Sequence, residues 1–183
     1  MEVMPIYVAM FRGINVGGQK TVKMEKLRTS FEELGFRRVR TYVQSGNIIF
    51  EAKKASANKL SNSIKEKISD DFGFPIPLVL RTSSEIRKIA NDNPFLKEKG
   101  IDSSKLHVTF LSAFPEASAL GKLDELNTDP DRFQISGREV YVYCPNGYGR
   151  TKLSNSTFEK LLSVKATTRN WKTLKALAEM STE

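Results

Sequence analysis

Val39-Arg40-Thr41-Tyr42-Val43-Gln44-Ser45-Gly46-Asn47-Ile48-Ile49-Phe50 is the stretch on which the fold turns. Val39, Thr41 and Val43 alternate with Arg40, Tyr42 and Gln44, the period-two pattern of a half-buried strand. Ser45-Gly46-Asn47 supplies turn chemistry and Ile48-Ile49-Phe50 returns as a second strand, so the stretch reads as a β-hairpin. Upstream, Met24, Leu27, Phe31 and Leu34 recur at helical spacing, and Gly35 is placed to stop that helix. Ile6–Phe11 precedes it as a continuous apolar run, the pattern of a buried central strand. Downstream, Leu60, Ile64, Ile68 and Phe72 make a second helical stripe closed by Gly73, and Ile76–Leu80 is the next strand. Strand, helix, hairpin, helix, strand is the βαββαβ order of a ferredoxin-like unit.

The second half echoes the first. Thr82-Ser83-Ser84-Glu85 is a capping box for a short helix through Ile86 and Ile89, which ends before Asn93-Pro94. The lobe boundary is placed there, giving subdomains 1–94 and 95–183. Leu106–Leu111 reads as a strand, and a helix with Ala119, Leu123 and Leu126 follows Pro115. Phe133 and Ile135 then pair through Ser136-Gly137-Arg138 with Val140, Val142 and Cys144. After the irregular loop Pro145–Gly149, a capping box at Ser156-Thr157-Phe158-Glu159 opens a helix with Phe158, Leu161 and Leu162. Trp171, Leu174, Leu177 and Ala178 mark a last one. The expected class is α+β with two subdomains: the first ferredoxin-like, the second a related strand–helix–hairpin unit with two C-terminal helices. The halves share an order of elements and no visible self-similarity in sequence.

Composition narrows the chemistry. A chain of 183 residues with a formal net charge of +8 suits a globular protein that attracts anions. Cys144 is the only cysteine and His107 the only histidine. These numbers exclude an internal disulfide, the usual zinc sites and Cys–His catalysis, so no metal and no cofactor are expected. Cys144 reads as a small buried hydrophobe, and His107, inside a strand, as a hydrogen-bonded surface residue that could titrate near neutrality. The chain begins without a basic leader, and its longest apolar run is too short to cross a bilayer, so a cytoplasmic protein with no membrane partner is expected. From Tyr148 to Lys175 seven cations (Arg150, Lys152, Lys160, Lys165, Arg169, Lys172 and Lys175) face one carboxylate, Glu159.

Three segments join glycine, hydroxyl or amide residues to a cation, at or near the expected start of a helix, where backbone N–H groups and the helix dipole favour anions. The first runs from Arg12 to Gly18. Its candidates are Arg12, Asn15, Gly17 and Gly18, although it matches neither the P-loop nor the dinucleotide glycine pattern. The second is Gly147–Asn155, where Arg150, Lys152, Ser154 and Asn155 are candidates. Helix capping accounts for the hydroxyls and the amide there, but not for Arg150 and Lys152. The third is Ala166–Trp171, with Thr168 and Arg169; Thr168 or Asn170 is the expected N-cap and Trp171 a core anchor. Secondary candidates are Tyr42, Gln44, Ser45 and Asn47. Arg40, Tyr42 and Gln44 share one expected strand face, and Asn47 is expected to hold the turn with its side chain.

The chain resembles an uncharacterised bacterial family known as domain of unknown function 1697. The likeness rests on Phe11-Arg12-Gly13-Ile14-Asn15-Val16-Gly17-Gly18, Met24 with Leu27, Thr41–Phe50, Asn93-Pro94-Phe95, Leu106-His107-Val108 and the two C-terminal polar segments. The resemblance implies two α+β subdomains, one of them ferredoxin-like, and brings no catalytic residues. Two functions fit the residues. One is an anion-binding module for nucleic acid or another phosphate-bearing polyanion. The other is an enzyme or sensor for a phosphorylated small molecule or nucleotide in a cleft between the lobes, with Arg12, Arg150 and Arg169 on the anion. A protein-interaction module is a third reading.

Overall fold

A computed structural model describes residues 4–18, 20–126 and 128–182. Its contacts divide the chain into two units: the residues up to Arg87 together with those from Leu177 onward, and Lys88–Ala176.

In the first unit, β1 (Ile6–Phe11) leads to α1 (Met24–Glu33), β2 (Arg37–Tyr42), β3 (Asn47–Glu51), α2 (Ala57–Phe72) and β4 (Leu78–Thr82). The sheet is antiparallel in the order β2-β3-β1-β4, the ferredoxin-like arrangement. Its register sets Val8 opposite Ile49 on one side and opposite Arg81 on the other. Because side chains alternate along a strand, Tyr7, Ala9 and Phe11 face α1 and α2. They join Leu27, Phe31, Phe50, Leu60, Ile64 and Ile68 in one core. Phe31 packs edge-on to Phe11 and Phe50 at 6.1 and 5.1 Å. Each fully buried side chain of this kind contributes about 1.5–3 kcal/mol. Gly73 ends α2 in the left-handed region at φ 79°, its N–H on the Ser69 carbonyl.

The second unit repeats the plan with β5 (Leu106–Leu111), α4 (Ala117–Leu120), β6 (Arg132–Ser136), β7 (Glu139–Tyr143), α5 (Asn155–Leu162) and β8 (Ala166–Asn170). Its strand order, β6-β7-β5-β8, is that of the first sheet, so both halves are ferredoxin-like. The registers match in detail. Arg81 is the fourth residue of β4, opposite the third residue of β1; Arg169 is the fourth of β8, opposite Val108, the third of β5. Each guanidinium is buried and donates to the carbonyl of the residue before it. A helix follows each fourth strand: α3 (Ser83–Asn91) and α6 (Trp171–Met180). The predicted capping box of α3 is present, Thr82 N–H donating to Glu85 Oε2 and Glu85 N–H to Thr82 Oγ1.

Four sequence expectations need correction. Ala166–Asn170 is a strand, because its short Thr-rich run lies against β5, whereas the residues alone read as the approach to a helix. The N-cap of α6 is therefore Asn170, whose Oδ1 accepts from Thr173 N–H, and not Thr168. β2 ends at Tyr42. Val43 turns into the left-handed region at φ 51° and is exposed, so Gln44 sits in the turn and off the face of Arg40 and Tyr42. The helix after Pro115 is one short turn running into a 3-10 segment that buries Ala119 and Leu123. The capping box expected at Ser156–Glu159 does not open α5; its cap is Ser154, whose hydroxyl is also among the expected caps.

Gly46 is where the hairpin touches the core. At φ 81°, a Cβ there would stand 2.6 Å from Ile14 Cδ1 and 2.9 Å from Phe11 Cβ. Gly46→Ala is therefore expected to cost about 2–3 kcal/mol from overpacking and backbone strain. Gly35→Ala, with open space around it, loses about 1 kcal/mol from strain alone. Urea unfolding of the two variants checks the order; equal losses would contradict it.

Candidate functional site

The loop after β1 is held by side-chain and backbone hydrogen bonds, and α1 does not begin until Met24, so its glycines do not supply helix N-terminal amides. Arg12 N–H donates to the Pro77 carbonyl at 2.9 Å. Ile14 is buried in the core, whereas Gly13, Gly17 and Gly18 are exposed at φ 71°, 64° and 73°. Asn15 is the clamp. Its Nδ2 donates to the carbonyls of Val22 (2.8 Å) and Gln44 (2.9 Å), while its Oδ1 accepts from Val22 N–H (2.8 Å). The structure thus brings Asn15 and the hairpin turn together. Across that turn the fully buried Asn47 donates to the Tyr42 carbonyl and to Ser45 Oγ, both at 3.0 Å, the turn-holding role expected of it.

In the second unit, the segment from Asn146 to Asn155 has two sides. Inward, a polar network centres on Thr168 Oγ1. It donates to Asn155 Oδ1 at 2.7 Å, accepts from Tyr148 Oη at 3.1 Å, and lies 2.7 Å from Thr109 Oγ1. The His107 ring stacks on Tyr148 with centroids 4.6 Å apart. Ser154 Oγ accepts from Thr157 N–H as the cap of α5. These contacts give Ser154, Asn155 and Thr168 structural work. Arg169 lies on the other face of β8, 7% exposed, donating to Thr167 Oγ1 and to the Thr168 carbonyl. Desolvation there pulls its pKa down to about 10.

Outward, the same segment forms a wall of an open cavity of about 330 Å³, lined by Thr128, Asp129, Asp131, Asn146, Arg150 and Lys152 together with Gly147 and Pro130. Arg150 and Lys152 are both exposed, and among the described residues neither side chain is engaged in an ion pair or hydrogen bond. Asp131 is engaged, its Oδ2 accepting from Thr151 Oγ1 at 2.6 Å. Gly147, at φ 95° and ψ 147°, takes a conformation that favours glycine and directs the following 3-10 turn, which ends at Arg150. Sequence reasoning found this cavity's two cations but missed Thr128, Asp129 and Asp131. Their only signal is a cluster of turn formers before β6, which reads as an ordinary connection.

Cys144 is buried, and desolvation pushes its thiol pKa up, away from nucleophile behaviour. Among the described residues no group of three or more His, Cys, Asp or Glu is arranged to hold a metal ion, and no helix is long and apolar enough to cross a membrane.

The family model described as "Protein of unknown function (DUF1697)" matches residues 4–141, and the chain belongs to that family. A solved structure of a conserved bacterial protein from Streptococcus pneumoniae superposes with a TM-score of 0.73 at 21% identity, over 99% of this chain and 100% of that one. The likeness extends the shared fold over the whole chain. No curated protein matches the sequence.

The His107–Tyr148 stack makes a pH prediction. Desolvation lowers the His107 pKa from the ordinary 6.5, outweighing a pull in the other direction from the Lys105 carbonyl. The unfolded chain therefore takes up the proton first as pH falls. Stability contributed by the neutral ring is present above 6.5 and is lost on going down through that value to the folded-state pKa. A ¹H NMR titration of this single histidine is expected to show a midpoint below 6.5; a midpoint at or above 6.5 would contradict the burial argument.

Proposed function

We propose that this member of the DUF1697 family is an anion-binding protein that holds a phosphate-bearing ligand at Arg150 and Lys152. The observation that carries the reading is the placement of two unengaged cations on one wall of a cavity whose size is that of a small-molecule site. A guanidinium presents a planar fork of N–H donors to phosphate oxygens, and an ammonium adds a mobile charge. Gly147 and Asn146 beside them let a ligand approach the main chain. The exposed glycines of the Arg12–Gly18 loop are a second, weaker place for an anion to meet backbone N–H groups.

A nucleic-acid ligand is the second reading, favoured by charge. Six of the seven cations between Tyr148 and Lys175 are exposed, Arg169 being the exception, on a chain of net charge +8. Phosphate contacts by such residues release counterions, so affinity for a nucleic acid falls steeply with salt.

One experiment separates the two. A saturating phosphate monoester is expected to raise the Tm by about 5 °C at roughly a hundred times its Kd. The double variant Arg150→Ala/Lys152→Ala should lose that shift while keeping its ligand-free Tm. Labelled RNA and DNA oligomers are measured alongside by fluorescence anisotropy over a salt series. Tight, steeply salt-dependent oligomer binding without a monoester effect would replace the small-ligand reading with the nucleic-acid one. Response to neither would overturn both.

A further inference from the structure

Building on the anion reading of the same cavity, we propose that its ligand is a zwitterion: a small phosphate or carboxylate that also carries a protonated amine. The argument starts from the charges that line the space. Two cations and two carboxylates share one cavity of about 330 Å³. Of the carboxylates, Asp131 is occupied by the Thr151 hydroxyl. Asp129 is exposed, and among the described residues its side chain has no ion pair or hydrogen bond, not even with Arg150 or Lys152.

Charges of opposite sign that share a cavity without pairing leave each other's partners to be supplied from outside. A ligand bearing only a phosphate satisfies Arg150 and Lys152 but brings negative charge towards Asp129, which opposes it. A ligand with a protonated amine a few bonds from its anionic group turns that opposition into a second attraction. The same lining discriminates against an extended run of phosphates, since each additional negative charge near Asp129 is unfavourable. Thr128 Oγ1 donates to the Asp131 carbonyl and keeps its lone pairs as an acceptor, and Asn146 adds an amide. Both can orient a ligand already placed by its two charges. Specificity here comes from a repulsive group as well as from attractive ones.

The test uses the full chain in isothermal titration calorimetry at low ionic strength with four probes. Phosphoethanolamine carries both charges and ethyl phosphate only the anion; β-alanine and propionate are the corresponding pair with a carboxylate in place of the phosphate. Either phosphoethanolamine or β-alanine is expected to bind at least about tenfold more tightly than its anion-only counterpart, an extra 1.4 kcal/mol. The tighter of the two identifies the anionic group. Asp129→Asn should bring the ratio of phosphoethanolamine to ethyl phosphate close to one while leaving ethyl phosphate as tight or tighter. Arg150→Ala/Lys152→Ala should abolish binding of both. All of these positions are exposed, and circular dichroism confirms that each variant is folded. Equal affinity of the zwitterion and its anion-only counterpart in both pairs, with Asp129→Asn tightening them, would overturn the zwitterion and leave the anion site standing. Absence of binding by every probe would overturn both.

Discussion

In each unit the first strand is hydrogen-bonded along both edges, and the rest of the unit is built around it. β1 lies between β3 and β4, and β5 between β7 and β8, with matching registers. The pairing continues past the strand ends in the same way. Phe11 N–H reaches the Gly46 carbonyl and Arg12 N–H that of Pro77; Leu111 N–H reaches Arg138 and Ser112 N–H reaches Lys165. The last residues of each central strand are thus fixed from both neighbours before the chain departs into a loop. A one-residue slip of either strand would turn every side chain to the opposite face, which a strand buried on both faces does not tolerate.

This shared frame carries different surfaces. In the first unit the loop after the central strand is tied by Asn15 to the neighbouring hairpin, and the space behind it is filled by Ile14 lying against Gly46. In the second unit the connection from β7 to α5 is the elaborated one. Its inner side is consumed by the Thr168 network and its outer side presents Arg150 and Lys152. Arg81 and Arg169 show how a conspicuous cation can belong to the scaffold. A buried guanidinium is tolerated only when its N–H groups are engaged, and both of these donate to main-chain carbonyls of their own strands.

Much of this was legible in the residues. The hairpin at Thr41–Phe50, the glycine stops at Gly35 and Gly73 and the Thr82–Glu85 capping box are local signals with local causes, and they fixed the first ferredoxin-like unit. β8 was hidden because Ala166-Thr167-Thr168-Arg169-Asn170 has no clear alternation of its own; pairing with β5 decides its conformation. The same limit applied to the site. Arg150 and Lys152 stood out because capping could not account for them. The roles of Thr168, Asn155 and Arg169 depend on residues 13 to 59 positions away or on burial, which spacing does not encode. Asp129 was invisible for the opposite reason: its stretch reads as a turn, and only the folded loop carries it to the cavity that holds Arg150.

The claim that joins these observations is that the outer side of the Asn146–Lys152 segment is a binding surface and the inner side a structural one. The most direct measurement is a ¹⁵N–¹H correlation spectrum of the full chain titrated with phosphoethanolamine. The account predicts saturable shifts confined to Thr128–Asp131 and Asn146–Lys152, leaving the Asn15 and Thr168 amides in place. Shifts confined to the Arg12–Gly18 loop, or an unchanged spectrum at millimolar ligand, would contradict it.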